Sequence, residues 1–380
     1  MILSFQKTKK EKYYFKYENA SEIKVEKLSD IIQHLSFDLI SIDDFIANNY
    51  SFIDEKIASL IKKMNNNSVV LSELNLLPLV GVKTGFNEGY MNKASSYSRN
   101  YVFGRDIKKY GAISVKNTLF FPYEFKDEKY QLIEEDNNEL NALIEDKFNL
   151  EKRAVIREGL INDTKKWYEF QQINKLLDFD NEYIVYPNVS LGNNFTLSKG
   201  NIVDMTGFII PSNSKYLLSI LNSKLIAFLM EIYAISRRGG YLEYKVQYLS
   251  KIPIKNISQV AQQPFIEKAD QMLLLNKELQ ELTEKFQRTL QREFSLETLS
   301  KKLQNWYELS FADFLKELSK AKVNLSLSQK AEWEDYFLAE QQKAVSIKSK
   351  IDQTDKEIDQ MVYNLYGLTK EEIEIVESNK

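Results

Sequence analysis

Glycines, cations and hydrogen-bonding side chains are concentrated in one stretch of the chain, LVGVKTGFNEGYMNKASSYSRNYVFGRDIKKY, which runs from Leu79 to Tyr110. Its glycines permit backbone conformations and close approaches that a Cβ atom would obstruct. Side chains that can donate to phosphates or base edges stand among and after these glycines. They are Lys83, Thr84, Asn87, Arg105, Lys108 and Lys109. The chemistry of these residue types is that of a surface that binds a polymeric anion.

The charge of this stretch differs from the charge of the whole chain. The 380 residues carry a formal net charge of −3, yet from Lys83 to Lys116 the only carboxylates are Glu88 and Asp106. The cations in the same segment are Lys83, Lys93, Arg99, Arg105, Lys108, Lys109 and Lys116. This asymmetry predicts a local basic face. The alternative interpretation is a set of turn glycines with solvated surface lysines.

A second group of cations follows an apolar helical pattern further along the chain. Arg237 and Arg238 precede a glycine pair, and Tyr241 and Lys245 come directly after it. Arginine is the side chain suited to bidentate contact with phosphate and with guanine in the major groove. We therefore predict that this segment also belongs to the anion-binding surface.

Six pieces of the sequence carry a family resemblance because they occur in a fixed order. They are GVKTGFNEGY, GRDIKKYG, IVYPNVSLGNNFT, YLLSILNSKLIAF, RRGGYLEYKVQYLSKIPI and IDQMVYNLYGLTKEEIEIV. In this order they resemble the TaqI-like C-terminal specificity domain, over roughly Asp54 to Val376. That domain is the target-recognition part of adenine-specific DNA methyltransferases and of Type IIG restriction-modification enzymes.

The resemblance implies a DNA-binding role for particular residues. The Thr-Gly-x-Asn piece supplies Lys83, Thr84 and Asn87, and the Gly-Arg-Asp-Ile piece supplies Arg105 and Lys108. Lys109 adjoins that piece, and the Gly-Gly-Tyr piece has Arg238 and Tyr241 with Arg237 and Lys245 beside them.

The catalytic motifs of such methyltransferases are missing from this sequence. All six prolines are isolated, so no Asn/Asp-Pro-Pro-Tyr/Phe motif is present, and no Gly-x-Gly occurs. We therefore predict no catalytic residue and no metal ligand in this chain. S-adenosylmethionine and Mg²⁺ would belong to a methyltransferase or endonuclease partner, or to a missing domain.

The composition excludes several other classes of site. Cysteine is absent and His34 is the only histidine, which excludes disulfides, thiolate metal sites and His-cluster metal sites. The first residues lack an apolar run long enough for a signal peptide, and no run approaches a membrane span. We expect a cytoplasmic protein.

The periodicity of apolar residues predicts an α+β fold: a mixed target-recognition domain, then a long-helix hairpin or small bundle. Residues 1–50 are predicted as two strands, Ile2–Phe5 and Tyr13–Tyr17, at the edge of a missing methyltransferase domain. Residues 51–258 are predicted as the recognition domain, which begins with an amphipathic helix over Ser51–Asn65 and contains a single helix over Tyr216–Ile235.

Residues 259–380 are predicted as two long helices joined by Ser295–Gln329, with a seam typical of a coiled coil. The seam residues are Leu275, Leu279, Leu282, Phe286, Ile347, Ile351, Ile358, Met361 and Leu365. Gly367 is predicted to end the last long helix and Thr369 to cap a short one.

These observations favour sequence-specific recognition of double-stranded DNA as the specificity part of a restriction-modification system. One alternative is a helical interaction protein that binds nucleic acid without sequence preference. Another is a nuclease whose active site is not recognised. The chain alone is expected not to be catalytic.

Overall fold

The computed structural model describes residues 14–17, 38–41 and 55–378, which belong to two compact units. The first unit comprises Met1–Ser68 with Leu368–Lys380, and the second comprises Val69–Gly367. The predicted α+β class is confirmed, because short strands precede a region of long helices. The predicted domain boundaries at residues 50 and 258 stay predictions.

Two short strands and two helices are described in the first unit. Strand β1 (Tyr14–Tyr17) pairs antiparallel with β2 (Asp38–Ser41), so part of one predicted strand is present. Ile2–Phe5 and His34 lie outside the described residues, and the interpretation as a remnant domain edge stays a prediction. Helix α1 (Glu55–Asn65) confirms the predicted amphipathic helix.

A salt bridge links the two helices of the first unit. Lys63 Nζ in α1 lies 2.6 Å from a carboxylate oxygen of Glu372, which belongs to the C-terminal helix Lys370–Ser378. Thr369 accepts a hydrogen bond from the Glu372 backbone N–H, so the predicted cap is confirmed.

Short strands dominate the part of the chain up to residue 255. They are β3 (Ser68–Val70), β4 (Leu79–Val80), β5 (Ser98–Val102), β6 (Asn117–Phe120), β7 (Tyr123–Lys126), β8 (Lys129–Leu132), β9 (Glu182–Pro187), β10 (Val189–Ser190), β11 (Thr196–Lys199), β12 (Ile202–Val203), β13 (Gly207–Ile210), β14 (Leu242–Glu243) and β15 (Pro253–Lys255). The largest sheet has the order β11-β9-β13-β4, and a three-stranded sheet has the order β12-β5-β6. Strands β7 and β8 form a hairpin, and β10 pairs with β14.

Helices connect and cover these strands. They are α2 (Lys147–Glu151), α3 (Ala154–Ile161), α4 (Lys215–Leu221), α5 (Lys224–Tyr233) and α6 (Val246–Leu249). No single helix among the described residues is long and apolar enough to cross a membrane. Helices α4 and α5 pass that test only as a pair, by length and composition, across a bend of 59°.

The bend between α4 and α5 shows that the single helix predicted over Tyr216–Ile235 is wrong. Asn222 leaves the helical path because its side-chain amide bonds the backbone of Phe195 twice, accepting from the N–H at 3.1 Å and donating to the carbonyl at 2.9 Å. Ser223 then caps α5 by accepting from the Ile226 N–H. The distant partner of Asn222 and the local cap at Ser223 therefore together outweigh the continuous apolar face.

The core beneath the sheets is rich in aromatic rings. Phe121 is buried and contacts Tyr123, Tyr130, Phe170 and Phe179, with ring centroids 5.1–5.9 Å apart. Edge-to-face contacts of this kind stabilise a core beyond the burial of their area. Phe120, Phe121 and Tyr123 are therefore core residues, whereas Phe125 in the same aromatic run is 38% exposed.

Two long helices and two short ones lie between residue 258 and Gly367. They are α7 (Gln259–Phe294), α8 (Lys301–Gln304), α9 (Phe311–Lys320) and α10 (Leu327–Tyr366). Lys268 Nζ lies 2.6 Å from Glu357, and the Phe294 and Trp333 rings lie 4.9 Å apart, so α7 and α10 run antiparallel. The predicted connection over Ser295–Gln329 is confirmed to within three residues.

Apolar side chains fill the seam between α7 and α10. Most of the predicted seam residues are buried, while Leu282, Ile347, Met361 and Leu365 are half-buried. Toward the connection, Phe286 stacks on Trp306 at 3.7 Å and on Tyr336 at 5.5 Å. Gly367, at φ +68°, ends α10 as predicted.

Replacing Ile358 tests how far the seam stabilises the chain. Ile358 is fully buried, so Ile358→Ala should lower the free energy of unfolding by about 2–4 kcal/mol. Leu274→Ala in α7 is the matched control, because Leu274 is 57% exposed and its loss should cost less than ~0.5 kcal/mol. Urea unfolding followed by circular dichroism measures both. Equal costs for the two changes would contradict this packing.

Arg153, inside the second unit, links helix α2 to the segments that contain Thr84 and Trp167. Its guanidinium is buried and donates to the backbone carbonyls of Leu150, Thr84 and Trp167, at 2.7 Å for the first and last. The same group lies 5.3 Å from the centre of the Tyr90 ring. The guanidinium suits this arrangement because its donors form a rigid, planar fork. A lysine ammonium could not reach three diverging acceptors.

Arg153→Lys should therefore lower the free energy of unfolding by about 2–3 kcal/mol, since buried carbonyls lose charge-assisted hydrogen bonds. The same urea titration measures the change. Arg157→Lys is the control, because Arg157 lies exposed on α3, where the exchange should be nearly neutral. A neutral Arg153→Lys would show that the carbonyls do not depend on the guanidinium.

Candidate nucleic-acid interface

Asp204 lies at the centre of the candidate interface, in the turn between β12 and β13. Its side chain is only 2% exposed. One carboxylate oxygen accepts from the Tyr101 hydroxyl at 2.6 Å and from the Asn87 amide at 3.2 Å. The other oxygen accepts from the Thr206 backbone N–H at 2.9 Å. Asp204 therefore joins its own turn to Asn87 and Tyr101, which lie more than a hundred residues earlier in the sequence.

The Tyr101 hydroxyl is a proton donor in this network. Burial raises the pKa of Tyr101 well above its ordinary value, and the hydrogen bond to Asp204 raises it further. The phenol consequently stays protonated and remains the donor to the carboxylate.

Two glycines allow the segments to approach the Asp204 turn. A Cβ atom on Gly81 would lie 2.2 Å from the Asp204 carbonyl oxygen, and one on Gly104 would lie 2.2 Å from the Thr206 carbonyl oxygen. Both distances are far below van der Waals contact, so any other residue would displace the backbone. The close approach that Gly81 permits is therefore an approach to the protein's own backbone at Asp204.

The Thr84 and Asn87 side chains belong to the Asp204 network. Thr84 is 1% exposed, and its hydroxyl donates to the side-chain Oδ1 of Asn87 and accepts from the Phe86 N–H at 3.1 Å. The side chain of Lys83, in contrast to that of Thr84, is exposed, and the Lys83 backbone pairs with that of Gln172. The structure therefore gives Thr84 and Asn87 a positioning role, and their contact with DNA stays a prediction.

Residues Gly104–Asp106 form a 3₁₀ turn that displays Arg105. The Asp106 carboxylate accepts from the Phe103 N–H at 3.3 Å, and the Arg105 guanidinium lies 4.7 Å from the centre of the Phe103 ring. Arg105 and Lys108 are exposed and have no carboxylate partner within the described part of the chain. Their cationic groups are therefore available to an anionic ligand.

Not all cations of the predicted basic face are available in this way. Lys93 pairs with Asp146 at 2.7 Å, Arg99 pairs with Asp180, and Lys109 Nζ lies 2.7 Å from Asp355. Sequence reasoning could not identify these pairs, because each joins residues more than fifty positions apart. Among the described residues of this segment, the cations without a carboxylate partner are Lys83, Arg105, Lys108 and Lys116.

The second predicted segment forms a loop that ends in β14. The Arg237 N–H donates to the Tyr241 carbonyl at 2.6 Å, and Gly239 and Gly240 adopt φ near +80° at the tip. Arg238 and Tyr241 are exposed there. A glycine pair in this conformation lets the loop turn sharply without steric cost.

Glu243 holds the other two cations of this segment. It is 2% exposed, accepts from Arg237 Nε at 2.6 Å and lies 2.7 Å from Lys245 Nζ. The hydrogen bonds from Lys245 and then Arg237 lower the pKa of the Glu243 carboxyl. Glu243 is thus ionised at neutral pH and fixes both cations beside β14.

Backbone hydrogen bonds bring the predicted pieces together. The Gly104 N–H donates to Thr206 Oγ1 at 2.9 Å, the Asn188 N–H donates to the Thr206 carbonyl at 2.9 Å, and the Tyr244 N–H donates to the Asn188 carbonyl at 2.8 Å. The Lys109 N–H donates to Asn194 Oδ1 at 2.9 Å. The Arg105 turn and the Arg237–Lys245 loop are therefore linked through residues 188–206.

Sequence reasoning missed these linking residues as parts of the site. Thr206 and Asn194 connect the segments, and Asn194 also donates to Ser190 Oγ at 2.7 Å. The available signal was the polar piece Ser190–Thr196, which is too short to indicate what it contacts.

Apolar side chains are exposed on the same segments. They are Val189, Leu191, Met205, Ile235 and Tyr241, and the exposure reaches 63% for Leu191. Exposed apolar groups beside cations are typical of a surface that binds a macromolecule. Among the described residues, no group of three or more His, Cys, Asp or Glu is arranged to hold a metal ion.

Comparisons with known proteins cover most of this chain. Residues 99–254 match the TaqI-like C-terminal specificity domain, and residues 258–362 match a domain of unknown function, DUF8810. No curated protein is significantly similar. Four of the six ordered pieces lie within 99–254, whereas GVKTGFNEGY precedes that range and IDQMVYNLYGLTKEEIEIV lies wholly after it, beginning within the match to DUF8810.

Two solved structures show weak likeness. One is the Type IIL restriction-modification enzyme MmeI in complex with DNA, with a TM-score of 0.44 and 12% identity over 79% of this chain and 35% of that chain. The other is the Type IIG restriction endonuclease BpuSI, with a TM-score of 0.36 and 11% identity over 87% of this chain and 36% of that chain.

This chain thus spans about a third of the length of each enzyme, and likeness at this level carries no conclusion about function. The family match of residues 99–254 does not depend on these two structures, and it confirms the family that the ordered pieces predicted. Residues 99–254 are thus similar to the TaqI-like C-terminal specificity domain.

Proposed function

We propose that this chain recognises a specific sequence in double-stranded DNA as the target-recognition part of a restriction-modification system. The observation that carries this proposal is the candidate interface itself. Within a TaqI-like specificity domain, Arg105, Lys108 and Arg238 are exposed on segments that the Asp204 turn and residues 188–206 hold together. Two of these three side chains are arginines, which suits bidentate contact with base edges.

The cations of this surface divide into two roles. Arg105 and Arg238 are the candidates for base contacts because their guanidinium groups are exposed on tight turns. Lys108 and Lys83 are the candidates for phosphate contacts, which set the register of the protein on the duplex. Arg237 and Lys245 remain candidates for phosphate contact from their positions beside Glu243, and Tyr241 offers a ring to a sugar or base.

The proposed function requires a partner that performs the chemistry. A methyltransferase, with or without an endonuclease activity, would use the DNA sequence that this chain selects, and would bind S-adenosylmethionine and Mg²⁺. This system would operate in the cytoplasm. The helical hairpin offers a surface to such a partner, because Leu274, Leu338 and Val345 are exposed on α7 and α10.

Selection from a random duplex library tests the proposal. The 380-residue chain should enrich one sequence family, and competing duplexes of unrelated sequence should displace it at least about 10³-fold less effectively. Equal competition by all duplexes would favour the helical interaction protein with non-specific binding. Incubation of the selected duplex with the chain and Mg²⁺ should leave it intact, whereas cleavage would favour the nuclease alternative.

Substitution of the exposed arginines tests the assignment of base contacts. Arg105→Ala and Arg238→Ala should each weaken binding to the selected duplex by about 1–3 kcal/mol, because a bidentate base contact is lost. Fluorescence anisotropy titrations measure these affinities. Arg288→Ala is the control, since Arg288 is exposed on α7 and pairs only within its helix, with Glu284. Wild-type affinity in both interface variants would contradict the assignment.

Lys108→Ala should behave differently from the arginine variants. A lost phosphate contact lowers affinity for every duplex and reduces the dependence of log K on log salt by about one unit. Titrations of selected and unrelated duplexes between low and moderate salt measure this slope. A change confined to the selected duplex would instead assign Lys108 to a base contact.

A further inference from the structure

Helix α10 presents two carboxylates, Asp355 and Asp359, one turn apart on the same face. Both contact segments that lead to the candidate interface, and both lie within residues 258–362, the domain of unknown function. Residues four apart on a helix are neighbours, so the two side chains act on adjacent parts of the protein.

Asp355 contacts the segment that carries Arg105 and Lys108. Lys109 Nζ lies 2.7 and 2.8 Å from the two oxygens of Asp355. The next residue, Tyr110, is fully buried at φ +52°, a conformation that is uncommon for a bulky side chain. Its N–H donates to the Phe195 carbonyl at 3.0 Å. The segment therefore ends in a strained turn that the ion pair and the buried ring hold in place.

Asp359 contacts the helix that leads to the other segment. It is 2% exposed and accepts from the Lys224 backbone N–H, the first of α5, at 2.8 Å. The positive end of a helix favours a carboxylate at this position. Helix α5 runs to Tyr233 and leads directly into the loop with Arg237 and Arg238. Burial raises the pKa of Asp359 to about 6, so a neutral isostere is a mild replacement for it.

We propose that Asp355 and Asp359 set the relative position of the Arg105 turn and the Arg238 loop, so that the helical hairpin is a positioning element for sequence discrimination. In this role Lys109 is a positioning residue that Asp355 holds away from phosphates. The inference rests on the proposed DNA recognition and goes beyond it, because it assigns a task to the domain of unknown function.

The two sides of the Lys109–Asp355 pair can be tested separately. The probes are the duplex selected by the wild-type chain and a 30-base-pair duplex of random sequence. Asp355→Asn should release Lys109 to phosphates, so affinity for the random duplex should rise about 3–10-fold at low salt and the salt slope should increase by about one unit. Lys109→Gln should leave affinity and slope for the random duplex unchanged. Both variants should lose about 10-fold or more in discrimination between the two duplexes.

A direct phosphate contact by Lys109 predicts the opposite pattern. Lys109→Gln would then weaken binding to both duplexes equally and reduce the slope by about one unit, while Asp355→Asn would keep wild-type discrimination. That pattern would overturn the inference. Asp352→Asn is the control with the same charge change, because Asp352 is exposed on the same helix and pairs with Lys348. It should leave discrimination unchanged.

Asp359→Asn tests the contact between Asp359 and the Lys224 N–H. It also keeps the inference testable if circular dichroism shows that one of the other variants does not fold. It should reduce discrimination and change the salt slope less than Asp355→Asn does, because Asp359 lies 4.0 Å from Lys224 Nζ whereas Asp355 lies 2.7 Å from Lys109 Nζ. Wild-type discrimination in folded Asp359→Asn would overturn the role of Asp359. Failure of the proposed function is distinguishable, because the wild-type chain would then discriminate between no duplexes.

Discussion

The buried carboxylate of Asp204 is the constraint on which the candidate interface depends. A carboxylate removed from water is costly unless donors surround it, and here Tyr101, Asn87 and the Thr206 N–H supply them. Any movement of one segment would leave the charge under-satisfied, so the segments around the turn are fixed relative to one another. Gly81 and Gly104 make this possible by letting the backbones approach to distances that a Cβ would prevent.

The cations of the candidate interface form two groups, those that pair with a carboxylate of the second unit and those that do not. Glu243 and Asp355 hold Arg237, Lys245 and Lys109 in defined positions. Arg105, Lys108 and Arg238 keep their charges exposed, without a carboxylate among the described residues. A chain with a net charge of −3 can therefore present a cationic surface locally, because Glu243 and Asp355 pair with cations there.

The sequence predicted the features that depend on local pattern. The α7–α10 hairpin followed from apolar periodicity, and the family followed from pieces in a fixed order. The inward role of Thr84 and Asn87 could not be predicted, because Asn87 meets Asp204 across 117 residues of chain. The break after α4 escaped prediction for the same reason, since only the distant Phe195 backbone draws Asn222 out of the helix. The residue types of Thr84, Asn87 and Asn222 indicated that they form hydrogen bonds. Only the tertiary fold determines which partners they bond to.

Hydrogen–deuterium exchange of the chain, with and without the duplex it selects, tests the central claim most directly. Bound DNA should slow exchange in the segments around residues 104–110, 188–194, 204–206 and 237–245, and leave the connection between α7 and α10 unchanged. These segments are those that the Asp204 network and its neighbouring hydrogen bonds join. Protection confined to the helical hairpin, or no protection with any duplex, would contradict the account.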